Sequence, residues 1–363
     1  MRNQNPAPRR RARLSEASLR AAAFGSVGLL LVPAGLAFAA NSTWDGPATG
    51  NWSTATNWNP DGVPDANSIV FLFFSASGTQ TVNMDFTYPA ANGIFYLVVN
   101  GTAGANTVLS QTSAASLLSV QTDQIIAQSG QATYSLAAGT NAVGGDLELA
   151  TQFGSVGTYN MSGGTLTVAG QERIGFASTG HFVQTGGQHT AKYVHIAEFG
   201  HTGTFELDGG SYTVNGEEHV AYNGMGTFTQ KGGTHTVNGD NVFSNIGLSI
   251  ASSGGSTGTY DLRAGDLIVS NSMSVGRDGN GTFAHNGGTA TVGGSLFVGQ
   301  DTGSSGNYSI PGLTLQNAGK LHVTGPAYVG YAGTGTFTQD RGEFTAASLS
   351  LGAIGNGTNA GGN

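Results

Sequence analysis

Carboxylates and imidazoles return at one spacing along the second half of this 363-residue chain. Glu172, His195 and Glu218 follow one another at intervals of 23 residues, and the pairs Glu217 and Asp240, and Asp278 and Asp301, keep the same interval. So do His189, Tyr212 and His235. If the chain repeats with that period, each set becomes a column whose neighbours stand about 5 Å apart. Carboxylates that close raise one another's pKa or demand a cation such as Ca²⁺, or they divide into acid and base across a glycosidic bond.

Two readings of these columns follow. Glu172, His195, Glu217, Glu218 and Asp240 form the candidate cation or glycan contact. The competing reading places them in a solvated turn, where polar residues are ordinary, with the second unit offset there by one residue. Asp278 and Asp301 are a weaker Ca²⁺ candidate, since Asp-Gly and Asp-Thr are also plain turn sequences. His189, Tyr212 and His235 are expected to stack. Two imidazoles a whole coil apart, about 9.6 Å, cannot share a metal directly. The sequence has no Gly-x-Ser-x-Gly, His-Glu-x-x-His, P-loop or dinucleotide fingerprint at a strand-to-helix junction, so no catalytic residue is assigned. With Cys 0, no disulfide or thiolate-bound metal is available.

What must hold these residues is a repeat. A unit opening Gly-Thr-[Phe/Tyr] begins at Gly157, Gly180, Gly203, Gly226, Gly258, Gly281, Gly306 and Gly335. Its third position is always aromatic: Tyr159, Phe182, Phe205, Phe228, Tyr260, Phe283, Tyr308, Phe337. Alternating residues, a glycine pair, a second alternating run and a short third run such as Ser274-Val275-Gly276 read as three strands and three turns. Such a unit cannot bury its apolar face alone. Stacked on its neighbours, it pairs every strand in parallel. The expected fold is therefore all-β: a single-stranded right-handed parallel β-helix, or β-solenoid, with about three short strands per roughly 23-residue coil and 12 or 13 coils in all.

The rest of the chain divides around that array. Residues 1–39 carry a basic start, a small-apolar stretch and Ala37-Phe38-Ala39, which reads as a secretory signal cut after Ala39. Residues 40–67 hold Trp44, Trp52 and Trp58, all three tryptophans, and read as an aromatic cap over the first coil; exposed indoles would instead offer a sugar-stacking platform. Residues 68–156 are worn coils, 157–352 regular ones, and 353–363 a Gly/Asn-rich tail. Of 13 basic and 21 acidic residues, six and one lie in the first forty, leaving 7 against 20. A surface that acidic repels nucleic acid and anionic lipid.

The tryptophan block (Trp44, Gly46, Gly50, Trp52, Asn57, Trp58, Pro64) followed by Gly-Thr-aromatic repeats resembles exported β-helix proteins of Gram-negative bacteria. These include autotransporter-type passenger domains and relatives with C-terminal surface-sorting tails. The resemblance implies an exported, cell-surface or outer-membrane-associated rod without catalytic activity, serving adhesion, matrix or display. Its partners would be surface glycans or other cell-surface proteins. The alternative is a polysaccharide-binding or polysaccharide-cleaving β-helix. The chain ends in GAIGNGTNAGGN with its last unit unfinished, which predicts a fragment whose only membrane contact would be through a missing C-terminal anchor.

Overall fold

A computed structural model describes residues 41–352 other than 67, 75, 90–91, 103, 240–244 and 312–317. The expected leader and tail, and Asp240, lie outside the described residues. The fold is an all-β parallel solenoid of about twelve turns, without α-helix among the described residues. One sheet has twelve strands, one per coil, and a second of 22 strands forms the other faces. Below the cap every ladder is parallel, and Phe205 pairs with Phe228 as their positions in the repeat require.

The alternation that makes the strands also fills the core. In Met225–Gln230 the burial pattern runs exposed, then buried and half-buried by turns, so that Gly226, Phe228 and Gln230 face inward. The aromatic of each unit stacks on the next: Tyr159 on Phe182 at 4.8 Å, Phe182 on Phe205 at 4.6 Å, Phe228 on Tyr260 at 4.7 Å, Phe283 on Tyr308 at 4.6 Å, with ring planes within 8°. Full burial of each ring contributes about 1.5–3 kcal/mol, and ring stacking adds to it. The glycine that opens each unit marks a corner. A Cβ on Gly226 would stand 2.3 Å from the Ala221 nitrogen, where the third strand of one coil passes into the first of the next.

The tryptophans act as the cap, and the sugar-platform alternative fails because the indoles are buried. Ser42–Trp44 pairs antiparallel with Trp58–Asn59 and parallel with the first full coil strand, Ile69–Phe74. Trp58 packs edge-on against Trp44 at 5.1 Å and Trp52 at 4.7 Å. Trp52 Nε1–H donates to the Tyr88 hydroxyl at 2.8 Å, and Trp58 Nε1–H to the Trp52 carbonyl at 2.8 Å. At the far end Leu349 and Leu351 are exposed.

Candidate functional site

The third strand of each coil sorts the chemistry by parity. Its inward residues form the column Leu147, Glu172, Val194, Glu218, Leu248, and its outward residues form Glu148, Arg173, His195, His219, Ser249. Glu172, His195 and Glu218 therefore do not share a column. Val168 and Ala191 are partners, yet Gln171 pairs with Tyr193, so the second coil has one residue fewer between its second and third strands. The one-residue offset is real. The turn after Ile196 is longer and restores the period.

Glu172 and Glu218 are fully buried within strands, not in a solvated turn or on a surface open to a glycan. Each meets a histidine of the following coil. Glu172 Oε2 is 2.9 Å from His189 Nε2, and Glu218 Oε2 is 2.8 Å from His235 Nε2. Neither contact has hydrogen-bond alignment. Tyr212 lies between the imidazoles, 4.6 Å from His189 and 4.8 Å from His235, the stack its spacing predicts. Burial, and then the Glu218 and Glu172 carboxyls, hold its phenol well above the usual tyrosine range. From His235 the polar chain runs on: Nδ1 is 2.8 Å from the Tyr260 hydroxyl, which donates to Gln230 Oε1 at 2.7 Å. Gln230 Nε2–H in turn donates to the Asp266 carbonyl. With Tyr260 donating to Gln230, the His235 Nδ1–H donates to Tyr260, and a single proton settles the contact between His235 and Glu218.

The outward face carries further polar and charged groups, of which His219, Ser249 and Glu198 are buried and Arg173 and His195 half-buried. Arg173 donates to Asp146 at 2.8 Å and Glu148 at 2.6 Å, with Glu198 3.7 Å away. Burial opposes its charge, but Glu148, Asp146 and Glu198 outweigh that and hold the guanidinium above its ordinary pKa. Burial pushes the Glu148 carboxyl up, against the pull of Arg173. His195 Nδ1 is 2.5 Å from Glu198, and its ring stacks on Tyr222 at 4.0 Å and meets His219 edge-on at 5.0 Å. His219 bridges two coils, with Nε2 3.3 Å from Glu217 Oε2 and Nδ1 2.7 Å from the Ser252 hydroxyl. Ser252 in turn is 2.9 Å from Ser249. Burial lowers the His219 pKa, and the Glu217 hydrogen bond opposes the shift.

Of the residues singled out by spacing, the structure thus brings His195 and Glu217 to this corner and takes Glu172 and Glu218 inside. Asp278 and Asp301 stand on exposed turns. Asp278 accepts the Gly254 N–H at 3.0 Å, a turn contact, and the Asp301 carboxyl is raised by burial and by Asp278 against Arg277. Among the described residues no three His, Asp or Glu side chains converge to hold a metal ion. Spacing missed Glu198, Tyr222, Ser249 and Ser252. Ser252 lies 33 residues from its histidine because the intervening unit is the longest, so no fixed period reaches it. Comparisons with protein-family models, curated proteins and solved structures gave no match. The chain is a parallel β-solenoid protein.

Proposed function

We propose that the chain is an exported, non-catalytic β-solenoid rod serving adhesion, matrix or display at a cell surface, in the manner of the passenger-like proteins its repeats resemble. One observation carries this reading. The parallel stack runs from Ile69 to Leu351 around a buried aromatic column, and ion pairs such as Arg173 with Asp146 tie one coil to the next. Such a body is stiff without disulfides, as the chain's lack of cysteine requires outside the cell. An acidic balance and the signal-like segment before residue 40 support the same address.

Expression in a Gram-negative host, with N-terminal sequencing and protease shaving of intact cells, tests it. The expected result is a chain beginning at Ala40 and accessible to protease. An uncleaved chain retained in the cytoplasm refutes the reading.

The second reading, a polysaccharide-binding or polysaccharide-cleaving β-helix, draws on the half-exposed ring pair His195 and Tyr222 flanked by Arg173, Glu198 and Glu217. Planar rings beside hydrogen-bonding charges suit sugar faces and hydroxyls. A panel of acidic and neutral polysaccharides, with and without Ca²⁺, separates the two. Binding lost in Tyr222→Ala supports a glycan contact, and new reducing ends or unsaturated products would make the protein an enzyme.

A further inference from the structure

We infer that Ser252 is an activated nucleophile, with His219 as its general base and Glu217 as the residue positioning that base, and that it accepts acyl groups from esters presented at the protein surface. This does not depend on the rod reading and replaces its non-catalytic part.

Glu217, as a carboxylate, only accepts, so the His219 nitrogen facing it at 3.3 Å, Nε2, carries hydrogen. Nδ1 then presents a lone pair to the Ser252 oxygen at 2.7 Å, and the Ser252 hydroxyl, which donates to Ser249 Oγ at 2.9 Å at rest, turns its proton to Nδ1 when it reacts. This is the order of groups found in nucleophilic serine sites, with the ring presented by its other nitrogen. The base is held from all sides. His195 packs edge-on at 5.0 Å, and Tyr222 does so at 5.3 Å. Ser249, buried, sits 2.9 Å from the Ser252 oxygen. The charge of Arg277, one coil on, disfavours protonation of His219. Burial lowers the His219 pKa, which favours the neutral imidazole that a base needs.

Ser252 itself is half-buried at the start of the turn after Ile246–Ile250. That turn is an open corner, which suits an acyl group projecting from a larger molecule. In the reaction the Ser252 oxygen forms a bond to the acyl carbon and its proton passes to His219 Nδ1. The ester C–O bond breaks, and that proton leaves with the alcohol. Water then attacks the acyl-serine, giving up one proton through His219 to the serine oxygen and releasing the carboxylic acid.

The test uses the purified full chain and a fluorophosphonate. Its P–F bond breaks as the Ser252 O–P bond forms, fluoride leaves and the proton goes to His219. Mass mapping is expected to place the adduct at Ser252. Labelling should vanish in Ser252→Ala and fall at least about 100-fold in His219→Asn. Glu217→Gln should move the acid limb of the labelling profile to lower pH, because the carboxylate that raises the His219 pKa is gone. A merely structural Glu217 would not shift that limb. The groups bearing on His219 are Glu217, His195 with its partner Glu198, Tyr222 and Arg277. Adducts spread over Ser249, Ser253 and Ser256, no adduct, or unchanged labelling in a folded His219→Asn chain would overturn the inference. Should His219→Asn not fold, the variants Ser252→Cys and Ser253→Cys decide it by iodoacetamide at pH 6. A thiol pKa lowered by one unit gives about tenfold faster alkylation of the Ser252→Cys variant, and equal rates in the two variants reject the site.

Discussion

The coils opening at Gly157 to Gly226 and those opening at Gly258 to Gly335 share one backbone and fill it differently. At the inward position of the third strand the first group has Glu172, Val194, Glu218 and then Leu248, and the second has Met273, Leu296 and Ala327. Opposite, Leu166, His189, Tyr212 and His235 give way to Leu267, Ala290 and Leu321. On the outward side Arg173, His195 and His219 are replaced in later coils by Ser274, Phe297 and Tyr328. The later coils show that the fold does not require acids or imidazoles at these positions. Ion pairs there cost desolvation that Leu and Ala avoid, so the earlier coils are chemically specialised beyond what stacking demands.

The sharpest way to break this contrast is to strand one member of a buried pair. Glu218→Ala leaves His235 without its carboxylate, and both side chains of that contact are fully buried. The expected loss is about 3–5 kcal/mol in urea-induced unfolding. Replacing both partners by leucine, the residue found at the equivalent positions in Leu248 and Leu267, should recover most or all of it. A double variant no more stable than the single one would show that the pair contributes net stability.

Acid should act on the second group of coils through His285. This imidazole is buried, its Nε2–H donates to the Gly288 carbonyl at 3.2 Å, and Nδ1 accepts from the Tyr308 hydroxyl at 2.9 Å. Both of its contacts are to neutral groups, and burial lowers its pKa to about 4 from an ordinary 6.5. Between those values the unfolded chain binds the extra proton. Stability therefore falls as pH drops from about 6.5 to about 4 and levels off below, a loss of roughly 3 kcal/mol. Gln230, two coils earlier in the same column, makes the equivalent contacts to Gly233 and Tyr260. His285→Gln should thus keep the fold and flatten this acid slope; an unchanged slope would assign the titration elsewhere.

These cases mark how far the sequence could be read. Gly-Thr-aromatic periodicity was enough for the parallel stack, the ring column and the His189–Tyr212–His235 stack, because each recurs at one interval. The cap was legible from three clustered tryptophans. Side-chain direction at the third strand was not, since a one-residue change of turn length at Tyr193 turns inward into outward, and that turn has no fixed length. Contacts such as Ser252 with His219 join coils of unequal length and leave no periodic trace.

A smaller effect separates the two groups at the corner after the third strand. Ala197, Ala221 and Ala251 adopt positive φ of 62°, 64° and 58°, where the coil opening at Gly157 uses Gly175 and the later coils use Gly276, Gly299 and Gly330. Alanine in that region costs about 1–2 kcal/mol, partly offset by the buried methyl and by glycine's greater unfolded freedom. Ala221→Gly is accordingly expected to change stability by no more than about 1 kcal/mol. Gly276→Ala should cost more, about 1–3 kcal/mol, because its Cβ would stand 2.1 Å from the Ser305 carbonyl oxygen. Equal effects in denaturant melts would mean the two corners are interchangeable.

The smallest expected change concerns the exposed rings of the earlier coils. Phe153 is 92% exposed, with His201 edge-on at 6.5 Å, whereas the column aromatics only a few residues away are fully buried. Phe153→Ser removes no packed area, so the unfolding free energy should hold within about 0.5 kcal/mol. Phe228→Ala, by contrast, opens the ring column and should cost about 3–5 kcal/mol. If Phe153→Ser nevertheless weakens binding to a surface or glycan that Phe228→Leu leaves intact, contact rather than stability is what keeps an aromatic ring on that turn.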